Sequence, residues 1–221
     1  SGDEKTELPN QKMQITRLTG KAVTYGGYAN VSRQNIDFSS PQVMDLVIND
    51  LASQYAIQTE AAACAQLAAT NTGGVGYDPA EEGSITAALW QAAATAYSAV
   101  KGQGRLVLAI APDVLSVFGP LFAPVNPRDS QSPGFEAGRF GQGVMGSISG
   151  IPAVMTTGLQ AGEAFLFSTA AFEVYEQRVG TLQVVEPSVL GVQVAYAGYF
   201  TPMTIEAGGI VPLDIESSSS S

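Results

Sequence analysis

The hydrophobic rhythm of this chain changes several times, and each change marks an element. From Gln14 to Tyr28, Ile15, Leu18 and Val23 stand singly among Thr16, Arg17, Thr19, Lys21 and Thr24, punctuated by Gly20 and Gly26-Gly27. Such threonine-rich alternation predicts an extended hairpin arm, too polar for a core. A two-stranded ribbon is marginal alone in water, so it needs a surface to lie on. Ser40-Pro41 reads as a helix start, with serine as cap and proline in the first turn, where its missing N–H costs nothing. Val43, Leu46, Val47, Leu51 and Tyr55 recur at helical spacing, while Asp45, Asn49, Asp50 and Ser53 fill the other side. The period continues through an alanine run to Asn71-Thr-Gly-Gly. The helix therefore covers residues 41–70, about 45 Å at 1.5 Å per residue. Leu46, Val47 and Leu51 are its expected core anchors.

Thr72 to Gly83 is a glycine-rich loop and a candidate domain boundary. Ser84 is the expected cap of a second helix with Ile85, Leu89, Ala93, Ala96, Tyr97 and Val100 on one face, ended by Lys101-Gly102. Arg105 to Ala111 is a continuous apolar run, the pattern of a buried strand. Pro112 opens a short helix to Phe118. Ala123 to Gly143 lacks any period and is rich in Pro, Gly and Ser, so it reads as a long loop. Short strands are expected at 151–157, 164–168, 172–178, 181–186 and 191–200, with a last one near 210–213.

The chain's 221 residues suffice for one large domain or two intertwined ones. Twenty acids against ten bases give a net charge of -10, which disfavours a sequence-independent grip on a phosphate backbone. The single cysteine, Cys64, excludes a disulfide within the chain and a multi-cysteine zinc site. Lying in Ala61-Ala-Ala-Cys-Ala, it reads as a small buried hydrophobe. No apolar stretch approaches the ~20 residues of a membrane span. The acidic, polar first residues are unlike a signal peptide, and the serine run 217–221 reads as a mobile end or an added linker.

Candidate chemistry is thin. Gly141-Gln-Gly143-Val-Met-Gly146 fits G-x-G-x-x-G but follows a glycine-proline loop, not a strand, so the dinucleotide-binding context fails and a turn entering a strand is expected. With no histidine there is no Ser-His-Asp set. Asp78, Glu81 and Glu82 cluster on the glycine loop, where a solvated turn outweighs an acid–base pair. Asp45 and Asp50 lie five apart on the long helix and read as a solvated face, not a metal pair. No catalytic, cofactor or metal residues are expected.

The C-terminal third is the most distinctive part. Gly146-Ser-Ile-Ser-Gly-Ile-Pro-Ala-Val-Met-Thr-Thr is followed by Gly162-Glu-Ala-Phe-Leu-Phe-Ser, Phe172-Glu-Val-Tyr-Glu-Gln-Arg, Val192-Gln-Val-Ala-Tyr-Ala-Gly-Tyr-Phe and Gly209-Ile-Val-Pro-Leu. Together with the arm and the long helix before it, this order from Asp3 to Leu213 resembles the tailed-phage major capsid proteins of the HK97 type. The resemblance implies an α+β, HK97-like capsid fold with a long spine helix, a peripheral β-sheet, an axial α/β domain and an extended hairpin arm. It implies a division into an E-loop arm at 1–26, a peripheral part at 27–72 and 164–202, an axial part at 73–163 and 203–213, and a tail at 214–221. The first residue would then fall inside the E-loop, through a maturation cut or a truncation.

The function implied is a structural subunit of an icosahedral bacteriophage or prophage capsid. Copies would form hexamers and pentamers around double-stranded DNA, with scaffolding protein, portal and maturation protease as further partners, assembly in the bacterial host cytoplasm, and no membrane. In the arm, Asp3, Glu4, Lys5, Glu7, Lys12, Arg17 and Lys21 are then inter-subunit contacts; in the spine helix and peripheral sheet, Asp45, Asp50, Glu173, Glu176 and Arg178 are. Some members of the family crosslink an E-loop lysine to an asparagine on a neighbour, assisted by a glutamate. Residues 191–213, where that asparagine would be sought, contain none, so Lys5 and Lys12 are expected to form ion pairs instead. The nearest alternative within the fold is an encapsulin-type compartment, which would carry a cargo-docking N-terminal helix. An alternative of another class is a secreted carbohydrate-active or adhesive β-rich protein, disfavoured by the long helix and the single tryptophan.

Overall fold

Two sheets of different length share one helix. A computed structural model describes residues 17–32, 34, 42–70, 73–81, 83–122, 144–186 and 191–215. The expected helix start at Ser40-Pro41, the 123–143 loop, most of the arm and the serine tail lie outside them.

The first sheet holds three antiparallel strands in the order β1-β8-β7: β1 (Val23–Ser32), β7 (Phe172–Glu186) and β8 (Gly191–Thr204). β1 pairs with β8 along its whole length, from Val23 opposite Phe200 to Ser32 opposite Gly191. The last four residues of the expected arm, from Val23 on, are therefore the edge of a sheet, which begins inside the span 1–26 assigned to the arm. Only 17–22 precede it as non-strand among the described residues. β7 is one strand where two were expected. Its register slips by one between Arg178 and Gly180, and Gly180 takes the left-handed φ of 85° that a bulge of this kind requires.

The second sheet has the order β2-β9-β6-β3-β5-β4. Its strands are β2 (Val75–Tyr77), β3 (Leu106–Ile110), β4 (Val144–Ile148), β5 (Ile151–Met155), β6 (Ala164–Ser168) and β9 (Ile210–Ile215). The β2/β9 and β3/β5 pairs are parallel, and the others antiparallel. β6 pairs with β3 and β9, so residues 164–168 lie in this six-stranded sheet, whereas β7 and β8 of the expected span 164–202 lie in the other. Leu108, Ile110, Ala153, Leu166, Ile210 and Leu213 are almost completely buried, which explains why these strands are continuous apolar runs.

Helix α1 (Gln42–Ala68) is about 40 Å long and spans both sheets. Its first half packs on β8 and β1. There Leu51 and Tyr55 are buried, and the Tyr55 ring meets Tyr196 edge-on with centroids 5.5 Å apart. Gly198 lies directly beneath: a Cβ there would come within 2.5 Å of the Tyr55 hydroxyl oxygen, so only glycine fits. The second half contributes Cys64 and Leu67 to the core of the six-stranded sheet. Cys64 is the small buried hydrophobe expected, and burial pushes its thiol pKa up. Polar bonds fasten the join. The Thr156 hydroxyl donates to Glu60, the Gln66 amide donates to Thr204 Oγ1 at 3.2 Å, and the Thr70 and Thr204 hydroxyls lie 3.0 Å apart.

Helix α2 (Ser84–Ala99) covers β6, β9 and β2 through Ala88, Leu89, Ala92, Ala93 and Ala96. Ser84 does not cap it. The capping position is Gly83, and the Ser84 hydroxyl accepts the Asp78 N–H at 2.9 Å instead. Tyr97, expected on the buried face, is 54% exposed. Short helix α3 (Leu115–Phe118) brings Phe118 against Tyr77 with ring centroids 5.8 Å apart.

Of the three expected anchors of α1, Leu51 is buried, Val47 is partly covered, and Leu46 is 66% exposed and lies outside the core. Period-3.6 spacing marks a stripe broader than the sheet can cover, and Leu46 falls at its edge. Leu51→Ala is expected to cost ~2–5 kcal/mol, while Leu46→Ala stays within about 0.5 kcal/mol of the parent. Urea unfolding of the two variants side by side measures the difference; equal losses would refute this packing.

Candidate functional site

The three-stranded sheet has two faces with different fates. Residues of β8 that point at α1, Val194, Gly198 and Phe200, are buried. Across from them, Glu176 pairs with Phe200 and Arg178 with Gly198, so both charged side chains lie on the α1 side. There the Tyr55 hydroxyl donates to Glu176 Oε1 at 3.0 Å, and Arg178 Nε–H donates to the same oxygen at 2.8 Å. Burial, then the neighbouring Glu176 carboxylate, pushes the Tyr55 pKa up to about 12. The Arg178 hydrogen bond holds the Glu176 carboxyl below its ordinary value, and Glu176 in turn raises Arg178. Solvent screens so exposed an ion pair, and it adds little stability. It closes the flank of the helix–sheet contact.

The other face is uncovered. Tyr28 and Leu182 sit on either side of Ala195, and Val184 lies beside Gln193. Tyr175 and Tyr199 lie further along the same face. All five large side chains are exposed, Tyr28 at 69%. An antiparallel sheet normally keeps its solvated face polar, and here these five large side chains stand among the polar Asn30, Glu173, Gln177 and Gln193 of the same face. The bulge at Gly180 produces this: by shifting β7 one residue it turns Leu182 and Val184 to the open side. Helix α1 adds exposed Leu46 and Ile57, and α2 adds exposed Trp90 and Tyr97.

Of the expected contact residues, Arg17, Lys21, Asp45, Asp50 and Glu173 are exposed. The Lys21 carbonyl accepts the Thr201 hydroxyl at 3.0 Å, which ties the segment before β1 to β8. Glu173 accepts the Tyr175 hydroxyl at 2.6 Å. Glu176 and Arg178 are engaged with each other and with Tyr55 inside the chain. Asp3, Glu4, Lys5, Glu7 and Lys12 lie outside the described residues. The exposed apolar positions were missed, because each reads from sequence as an ordinary strand or helix residue.

Among the described residues, no group of three or more Cys, Asp or Glu could hold a metal ion. A groove of about 590 Å³ between Leu18, Tyr25, Gln66 and Met203 has Lys21 as its one charged lining residue. It therefore lacks a carboxylate pair or a nucleophile–base set. Among the described residues, no helix is long and apolar enough to cross a membrane.

A spine helix shared by a long peripheral sheet and a compact six-stranded one defines the class: this is the α+β, HK97-like capsid fold. Residues 16–212 match the family model described as phage capsid protein, and the chain belongs to that family. Solved structures agree in fold. A chain from Gordonia phage Cozz superposes with a TM-score of 0.63 at 17% identity, covering 99% of this chain and 78% of its own. The mature capsid of bacteriophage PhiM1 gives 0.61 at 12% identity, with 100% and 80% covered. The capsid of an empty GTA particle gives 0.64 at 11% identity, with 98% and 81% covered. A search of the curated proteins returns no match.

The Tyr55 contact has a pH signature. A tyrosine whose folded pKa lies above its ordinary 10.0 keeps its proton where the unfolded chain has lost it. Its contribution to stability is therefore complete below pH 10 and is lost as pH rises toward about 12. The urea midpoint of the parent should fall more steeply across that window than that of Tyr55→Phe. Parallel curves would show that the hydroxyl is not held as described.

Proposed function

We propose that this capsid protein is the wall subunit of an icosahedral shell, with its copies gathered into hexamers and pentamers around double-stranded DNA. The observation that carries the reading is the apolar surface exposed on the sheet, on α1 and on α2 at once. Isolated soluble proteins rarely leave several such surfaces uncovered, whereas a subunit buries them against neighbours. A net charge of -10 suits a wall that encloses nucleic acid without gripping it. The protein acts by geometry and has no catalytic activity. Scaffolding protein, portal and maturation protease are its further partner classes, and assembly takes place in the host cytoplasm.

Within this reading the residues before β1 form the arm that reaches a neighbour, the α1 sheet is the peripheral part, and the six-stranded sheet is the axial part. Lys5, Lys12, Arg17 and Lys21, with Asp3, Glu4 and Glu7, make exposed ion pairs across the contact, joined by Asp45, Asp50 and Glu173. Each pair contributes ~0–1 kcal/mol, and repetition around a closed shell sets register and angle.

Electron microscopy of the purified chain tests the assignment: shells or capsomers support it, and monomers at all concentrations refute it. The charge contacts have their own test. Replacing Lys5, Lys12 and Arg17 by glutamate makes an arm that approaches an acidic neighbour more acidic still, and like charges at an interface penalise association. The triple variant should keep the parent's far-ultraviolet dichroism yet stay unassembled at low salt. Added salt should partly restore shells, because screening acts over about 8–10 Å. Normal shells at low salt would remove these residues from the interface.

A further inference from the structure

Helix α2 contains no charged residue: its sixteen positions read SITAALWQAAATAYSA. A surface helix normally turns charged or polar residues outward. Here Ala88, Leu89, Ala92, Ala93 and Ala96 face the six-stranded sheet, and the opposite side is open. Ala87, Trp90, Ala94 and Tyr97 fall on that side at spacings of three and four and are exposed, Trp90 at 56% and Tyr97 at 54%. Two aromatic knobs thus stand beside the methyl groups of Ala87 and Ala94, on a stretch about 15 Å long. Trp90 is the chain's single tryptophan.

We infer that the Trp90–Tyr97 face of α2 is a contact surface for a second copy of this chain. The inference rests on the reading of the protein as a shell subunit and names one of the surfaces that close the shell. Charge selects the occupant. Two copies each carrying -10 repel wherever their acids come near, and a helix face without carboxylates is where that repulsion is least. A basic partner would be drawn to the acidic surfaces instead. A nucleic acid would need cations on the face, and α2 has none. The composition also suits the centre of a protein–protein contact, where charges are depleted and tryptophan and tyrosine supply most of the energy. Ala94 leaves room for the neighbour to approach closely between the two rings, and Ala87 does so on the other side of Trp90.

The tryptophan reports on the contact without a label. Acrylamide quenching and the emission maximum of Trp90 are measured for the purified chain alone, as sedimentation-verified free subunits and as shells seen by electron microscopy. Shells should show a blue-shifted maximum and a quenching constant several-fold lower than the free subunit. The second arm is Ala94→Glu, which places a good helix former at an exposed position and so leaves the subunit folded. Set against an acidic copy, it should raise the concentration needed for shells at least about tenfold at low salt. Shells in which Trp90 is quenched as readily as in the free subunit would overturn the inference while leaving the subunit reading intact. So would protection that arises only when a different protein is added, or an Ala94→Glu variant that assembles at the parent's concentration. Failure of the parent chain to form any assembly would instead refute the subunit reading, and this inference with it.

Discussion

Helix α1 has to be buried by two sheets at once, and the rest of the architecture follows from how that is done. Its first half offers Leu51 and Tyr55 to the three-stranded sheet, and its second half offers Cys64 and Leu67 to the core of the six-stranded one. A three-stranded sheet alone has little to bury against, so the helix is its only cover among the described residues. The six-stranded sheet has a second helix and a dense core of its own. The two bodies are therefore unequal in self-sufficiency. The helix is the element through which the richer core holds the poorer one. The bonds from α1 to Thr156 and Thr204 fall where the helix passes from one sheet to the other.

This arrangement leaves apolar surface uncovered in a patterned way. The bulge at Gly180 reverses which β7 residues look outward, and it places Leu182 and Val184 beside Tyr28 on the open face. A self-contained protein would carry threonine, lysine or glutamate at these points. In the proposed shell the missing cover comes from other copies, and part of the stability would then lie in contacts that one chain cannot make. The charge distribution agrees. Acidity is spread over loops and over the outer side of α1, whereas α2 and the middle of the open sheet face are nearly free of it.

Local pattern carried much of the fold. Long apolar period-3.6 spacing identified α1 to within a few residues, and the continuous run 105–111 marked the strand at the centre of the six-stranded sheet. The exposed Leu46, the missing Ser84 cap and the outward Tyr97 show its limits. Each belongs to a periodic stripe or a capping pattern, and each was decided by where a neighbouring sheet or turn happened to end. The Tyr55–Glu176–Arg178 cluster had no local signal, since its hydroxyl and carboxylate are 121 residues apart in the chain.

By itself, the sequence determined the class of protein: the order of arm, long helix, buried strand and Gly-Ile-Pro strand, the acidic charge, and the absence of histidine, which leaves no Ser-His-Asp triad. These are properties of local period and composition, which need no neighbour to be read. Only the tertiary structure decided that the arm's last residues are a sheet edge, that residues 164–168 pair with β3 and β9, and that one bulge turns β7 over. Strand pairing joins residues far apart in the chain, and a register shift of one residue changes every side chain's face while leaving the local pattern untouched. Which surfaces stay open depends on those pairings, so it was decided there as well.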